Sequence, residues 1–149
     1  MPAFAGERAQ RSHSFELPLP STQAFHFFEP EGERSWAPGW NPIYVFPADG
    51  HPEKGMVFTT GEGDDHTIWI VLGHSPSGGA VEYARITPGA RLAIVRVQCS
   101  ALDASSTRVT VSYEFTGLSE AGNAYVRSMD EASYRAFIES WGQTIRARL

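Results

Sequence analysis

The sequence is short of cysteine, of basic clusters and of long apolar runs, and each shortage removes a class of protein. Cys99 is the single cysteine, so no internal disulfide can form, which fits a reducing compartment. Lys and Arg number 12 against 17 Asp and Glu, a formal net charge of -5. The basic residues are nowhere gathered into the patch that a nucleic-acid or anionic-membrane surface needs, so no nucleic-acid partner is expected. No window reaches the eighteen or so apolar residues of a spanning helix, and Glu7 and Arg8 interrupt the start before a signal-peptide core could form. The expectation is a cytoplasmic protein without membrane insertion.

Motifs that carry chemistry are equally sparse. The five histidines, His13, His26, His51, His66 and His74, form no His-Glu-x-x-His pair and no Cys/His cluster, so no metal is expected. The run Gly61-Glu62-Gly63-Asp64-Asp65 lacks the spacing of a calcium loop and the Lys-Ser/Thr ending of a phosphate loop, and its glycines suit a hairpin. No Gly-x-Ser-x-Gly elbow supports a serine hydrolase. Cys99 lies among apolar strand residues and reads as an inert core thiol. No organic cofactor is implied.

What is present is a globular composition, 42% hydrophobic and 19% charged, over a length that buries a core without staples. Repeats, low-complexity tracts and linkers are missing, so residues 1–149 are expected to form one domain, with 1–6 as a loose tail. The pattern organises around the C-terminal stretch 119–149, above all 128–149. Ser128-Met129-Asp130-Glu131 reads as a capping box. Beyond it Tyr134, Ile138, Trp141 and Ile145 recur in steps of four, three and four, with Phe137 beside them, one face of an amphipathic helix. Glu131, Arg135 and Glu139 on the opposite face are spaced for i,i+4 ion pairs. A helix of about nineteen residues would run roughly 28 Å, enough to cross a small domain. Gly142 inside it implies either the close approach of a strand or room for a ligand.

The rest of the chain reads as a first strand over 7–19, a short helix over 22–28 capped by Ser21, a second helical turn over 31–37, and then strands over 41–46, 55–60, 67–74, 80–87, 91–102 and 107–115. The strand links are too short for parallel crossovers, so antiparallel hairpins follow. In the last strand Val109, Val111, Tyr113 and Phe115 alternate with Arg108, Thr110, Ser112 and Glu114, one dry face and one wet. One sheet with a dry face and one long helix to cover it make an α+β domain.

Several strings within this order are similar to the START-like superfamily (SRPBCC), and in particular to its polyketide cyclase/dehydrase-like branch: Trp36-Ala37-Pro38-Gly39-Trp40, Trp69-Ile70-Val71, the run from Glu82-Tyr83-Ala84-Arg85 to Pro88-Gly89, and the Tyr134…Trp141…Ile145 helix. The resemblance covers nearly the whole chain from about Ser14. It implies a helix-grip fold, a curved antiparallel sheet of six to seven strands wrapped around the long C-terminal helix, with two short helices after the first strand. It also implies a cavity between sheet and helix that takes a small hydrophobic molecule such as a lipid, polyketide, sterol or other aromatic. Fold alone does not supply function.

The informative surplus is aromatic: nine Phe, five Tyr and four Trp. Tyr and Trp bring polar tips that need partners when buried, which a purely dry core would avoid. Trp36, Trp40, Tyr44, Phe58, Trp69, Tyr83, Tyr113, Tyr134, Phe137 and Trp141 are the candidate wall of a ligand pocket, with Arg85 as a candidate anion clamp. Tyr83, Glu82, His74 and Tyr113 are the candidate proton-transfer groups. Which of them face inward depends on the Pro88-Gly89 turn. A two-residue loop would pair Tyr83 with Ile94 and put Glu82 and Ala84 inside; one extra residue puts Tyr83 and Arg85 inside. Bulk and the resemblance favour the latter. The C-terminal helix and the 62–65 hairpin are candidate gates.

Three functions remain in play: binding of a small hydrophobic ligand; a cyclase or dehydratase acting without metal or organic cofactor; and an interaction or co-chaperone-like module using Trp36 and Trp40 as an exposed patch. A homodimer through a sheet edge or the Trp segment is allowed but not required.

Overall fold

The strand patterns pair into one antiparallel sheet. The computed structural model describes residues 3–149, with β1 (Arg8–Leu17), β2 (Ile43–Phe46), β3 (Val57–Thr60), β4 (Thr67–Ser75), β5 (Ala80–Thr87), β6 (Arg91–Asp103) and β7 (Ser106–Gly117). Their order across the sheet is β1-β7-β6-β5-β4-β3-β2. The meander β2 to β7 follows from the short links, and β1 closes onto β7, so the two edges are far apart in space but successive in sequence. Between them run α1 (Ser21–Phe25) and 3-10 turns at His26–Phe28 and Gly32–Ser35. Two helices, α2 (Glu120–Ser128) and α3 (Glu131–Arg146), complete the chain. Register shifts in β2, β4 and β6 bend the sheet, as bulges do. The result is a helix grip, with α3 laid across the concave face.

Alternation decides that face. Val109, Val111, Tyr113 and Phe115 of β7 are buried together with Ala93, Val95, Val97 and Cys99 of β6. The convex face is less polar than β7 alone suggests: Ile68, Ile86 and Leu92 form one cross-strand row and Ile70, Ala84 and Ile94 the next.

The β5–β6 turn settles the inward set. Thr87 pairs with Arg91, not Ala90, because Pro88, Gly89 and Ala90 form a three-residue link. Gly89 takes φ 73°, the left-handed conformation that a Pro-Gly turn demands of its second residue. Ala90 N–H closes the turn on Thr87 O at 3.0 Å, and Ala90 O accepts from Leu118 N–H at 2.8 Å. Tyr83 therefore faces inward opposite Val95, and Arg85 inward opposite Ala93. Glu82 points outward, where it pairs with Arg96, so the two-residue reading of the turn is corrected.

The C-terminal stretch is two helices rather than one. Ser119 Oγ accepts from Gly122 N–H at 3.1 Å to start α2, and Asp130 Oδ1 accepts from Ser133 N–H at 2.8 Å to start α3. Ser128, expected to cap, instead donates back to Tyr125 O at 2.6 Å. A carboxylate is a stronger acceptor than a hydroxyl at a positive helix terminus, so the start moves to Asp130. In α3, Tyr134, Ile138, Gly142 and Ile145 are buried and pack on β1. A Cβ on Gly142 would stand 2.8 Å from Phe15 Cδ2, so strand approach is the reason for the glycine. Glu139 reaches across to His13 Nε2 at 2.6 Å rather than to its own helix.

The short first helix needs no Ser21 cap: Pro20 holds the cap position, its carbonyl accepting from Gln23 and Ala24 at 3.0 Å. The expected loose tail is partly tied, since Ala5 O accepts from Asn123 Nδ2 at 3.2 Å; residues 1 and 2 lie outside the described residues.

Candidate ligand cavity

The sheet and α3 do not close completely. Tyr134 and Ile138 seal the β1–β7 side, whereas Phe137 and Trp141, one step around the helix, face β4 to β6 across a cavity of about 570 Å³. That is within the range of small-molecule sites. A depression of about 310 Å³ on the outer face, lined by Glu82, Arg96 and Gln98, is smaller and more open.

Three of the four indoles in the wall are fixed by hydrogen bonds. Trp36 Nε1 donates to Phe27 O at 2.7 Å, Trp40 Nε1 to Pro30 O at 2.8 Å and Trp69 Nε1 to Thr60 Oγ1 at 2.9 Å. Their rings interlock: Trp40 meets Trp69 edge-on at 5.3 Å, and Trp36 meets Trp141 at 5.4 Å. A buried indole must satisfy its N–H; Trp36 and Trp40 do so on backbone carbonyls and Trp69 on the Thr60 hydroxyl, which fixes the rings in the wall.

The polar groups of the cavity are of two kinds. Tyr83 is spent on the fold, its hydroxyl donating to Phe28 O at 2.7 Å, and burial, with Glu33 and Glu29 adding to it, pushes its pKa far up. Tyr113 is pushed up to about 12 by burial, with the neighbouring Arg85 guanidinium opposing, so its hydroxyl is a donor at neutral pH. Glu33, on the Gly32–Ser35 turn, has its carboxyl raised well above the usual carboxylate range by burial, against the pull of Arg85. Arg85 itself lies 5.2 Å from the Trp69 ring centroid, and Arg91 lies 4.0 Å from that of Tyr125.

No family model matches the sequence, and no curated protein matches it. Solved structures do. Truncated norcoclaurine synthase from Thalictrum flavum superposes with a TM-score of 0.69 at 10% identity, covering 98% of this chain and 96% of that one. The Zhui aromatase/cyclase from Streptomyces sp. R1128 gives 0.68 at 12% identity, over 95% and 93%. An uncharacterized protein from Rhizobium leguminosarum gives 0.68 at 13%, over 96% and 97%. The fold is START-like. At these identities the likeness carries the architecture alone.

Within this START-like frame, eight of the sequence candidates share the cavity: Trp36, Trp40, Trp69, Tyr83, Arg85, Tyr113, Phe137 and Trp141. Three do not. Phe58 is fully buried behind Trp69, stacked at 5.7 Å. Tyr134 is sealed under α3 with its hydroxyl on Val111 O at 2.6 Å. Tyr44 lies over Gly50 and bonds Glu31 at the β2 edge.

Of the proton-transfer candidates, Glu82 is on the convex face and His74 is outside the cavity. His74 Nε2 lies 2.7 Å from Glu29 Oε2, under the Phe25 ring, and Glu29 Oε1 also holds His26 Nδ1 at 2.5 Å. His74 therefore ties the His26–Phe28 turn to β4 rather than standing at an open rim. Trp36 is 4% exposed, so the exposed Trp patch of the interaction reading does not form. Cys99 is buried and its thiol is pushed up to about 12.

Two charged cavity residues outside the 62–65 hairpin are not evident as such from the sequence. Glu33 precedes Trp36 by three, the repeat of a 3-10 turn, so both project inward. Arg91 shares the parity of Ala93, Val95 and Val97, which alone places it on the dry face. Asp65 of the 62–65 hairpin also borders the cavity.

Proposed function

We propose that this chain binds one small, flat, hydrophobic ligand, aromatic, polyketide or lipid-like, between the sheet and α3, working as a single START-like domain in the cytoplasm. The observation that carries the reading is an aromatic-walled cavity of about 570 Å³, three of whose four indoles are held by hydrogen bonds. Apolar walls supply affinity and a few inward polar groups set orientation. The comparisons support it to this extent: norcoclaurine synthase, of the same fold, has been solved in complex with dopamine and hydroxybenzaldehyde (TM-score 0.66, 10% identity, 95% of this chain and 88% of that one). The 62–65 hairpin at the cavity border is the proposed gate. Native mass spectrometry of the purified protein, with tryptophan fluorescence during ligand displacement, tests the reading. A stoichiometric small molecule whose removal changes the emission supports it; ligand-free protein whose emission no aromatic probe alters ends it.

A second reading, cyclase or dehydratase chemistry, is favoured by one feature: the carboxyl of Glu33, held toward its neutral acid form inside the same cavity as Tyr113. In ring closure of a poly-ketone, an enol carbon bonds to a ketone carbon and the ketone oxygen takes the Glu33 proton. The enol hydroxyl returns a proton to the carboxylate. Under this reading Glu33→Gln lowers kcat by about 10²–10⁴-fold with little change in binding. Equal turnover by the variant removes Glu33 from the chemistry.

A further inference from the structure

The two half-buried arginines of the cavity differ from the ion-paired arginines of the surface. Arg34, Arg96, Arg108 and Arg127 each have a carboxylate partner. Among the described residues neither Arg85 nor Arg91 has a carboxylate within 4.0 Å. Both nevertheless line the cavity, and Arg91 Nε is fully buried with no hydrogen-bond partner.

The register makes them a pair. Arg85 lies opposite Ala93 and Arg91 opposite Thr87, so they are diagonal neighbours on the concave face of one hairpin. Each guanidinium rests against an aromatic ring, Trp69 for Arg85 and Tyr125 for Arg91. Stacking satisfies the flat face of a guanidinium but uses none of its N–H edges, of which Arg85 turns one toward the Tyr113 hydroxyl. Those edges are what a carboxylate engages two at a time.

No carboxylate of the chain fills that role. Glu33 and Asp65 are the acidic residues at the cavity; Asp65 sits on the exposed 62–65 hairpin, and burial disfavours the charged form of Glu33. A buried donor left without a partner, as Arg91 Nε is, is costly, and two guanidinium groups on one hairpin facing one cavity call for an anion from outside.

We infer that the ligand is a carboxylic acid, its carboxylate seated between Arg85 and Arg91 and its apolar body lying against Trp69, Trp141 and Phe137. This rests on the proposed ligand-binding role and narrows it to one chemical class.

Two probes with the same ring system test it: 2-naphthoate, which is anionic, and 2-naphthamide, which is neutral. Each is titrated calorimetrically into the wild-type protein near pH 7.5. The naphthoate is expected to bind at least ~10-fold tighter. Arg85→Gln and Arg91→Gln, each checked for folding by its circular dichroism, are expected to shrink that ratio below ~3-fold. Equal binding of the two probes by the wild-type protein overturns the acid inference and leaves the cavity reading standing. Failure of both probes to bind at millimolar concentration overturns the two together. The wild-type comparison decides the matter even where a variant does not fold.

Discussion

The Tyr83 hydroxyl donates to the Phe28 carbonyl at 2.7 Å, while the Tyr113 hydroxyl on the same concave wall has Arg85 as its neighbour and no such backbone anchor. One tyrosine holds the first 3-10 turn to β5; the other points its polar tip into the cavity. Tyr83→Phe strands a buried carbonyl and should cost about 1–3 kcal/mol. Tyr113→Phe, which strands no backbone carbonyl, should cost less, at most about 0.5–1.5 kcal/mol, the net contribution of one hydrogen bond, and should weaken the proposed ligand binding. Urea denaturation of the two variants checks the contrast, and equal losses would contradict it.

Glu33 makes stability depend on pH in a definite direction. Its folded-state pKa is raised above the ordinary 4.5 by burial, so its favourable contribution is complete below that value and is lost as pH rises through the folded pKa. Glu33→Gln cannot ionise. Its stability relative to wild type should grow from about pH 4.5 upward and level off once the buried carboxyl has ionised. Denaturation midpoints of both proteins from about pH 4 to pH 9 measure this; parallel curves would show that the carboxyl is solvated.

Gly142→Ala sets two effects against each other. Alanine gains about 1 kcal/mol of helix propensity, but its Cβ would approach Phe15 Cδ2 to 2.8 Å and Cγ to 3.0 Å, an overpacking that costs about 1–3 kcal/mol. Phe15 is 5% exposed on β1 and has little room to yield. A net loss of stability is expected, read as a lower thermal midpoint; a gain would mean that β1 and α3 separate easily.

The start of α3 discriminates between its two candidate caps. Asp130→Ala removes the acceptor of Ser133 N–H and should lower the melting temperature, whereas Ser128→Ala should leave the α3 terminus intact. The Asp130 pKa is lowered by its hydrogen bonds to Ser133, so its stabilisation is present above the ordinary value of 3.8 and fades as pH falls through the folded value. The Asp130 effect should therefore shrink in acid. Equal effects of the two substitutions at neutral pH would restore the capping-box reading.

Much of the fold is legible from alternation and link length. Val109 to Phe115 mark a concave face, and the short links leave no route to a parallel sheet. The cavity is half legible. Trp36, Trp69, Tyr113 and Trp141 announce themselves by bulk and polar tip, but bulk also nominates Phe58 and Tyr134, which are core. For Tyr134, the packing of α3 against β1 separates a ring that fills space from one that lines it, and that contact joins segments more than a hundred residues apart, as Gly142 and Phe15 do; Phe58 is core because Trp69 stacks over it. Glu33 stays hidden because a 3-10 turn of four residues, Gly32–Ser35, is too short to display a period. Arg91 is on the parity of Ala93, Val95 and Val97, but a charge at a strand end ordinarily faces water; it is the inward side of Arg85 that depends on a turn one residue longer than Pro88-Gly89 implies.

Trp36 and Trp40 hang on the carbonyls of Phe27 and Pro30, so that part of the wall is assembled entirely within residues 27–40, whereas Arg85 and Arg91 belong to a hairpin elsewhere in the chain. Under the proposed acid-binding role, ring shape would be sensed largely by one stretch and headgroup charge by another, the two meeting where Trp40 touches Trp69 and Trp36 touches Trp141. Exchanging residues 27–40 would then reshape the ring site while leaving Arg85 and Arg91 in place, though it would also replace Glu33, which lies near Arg85.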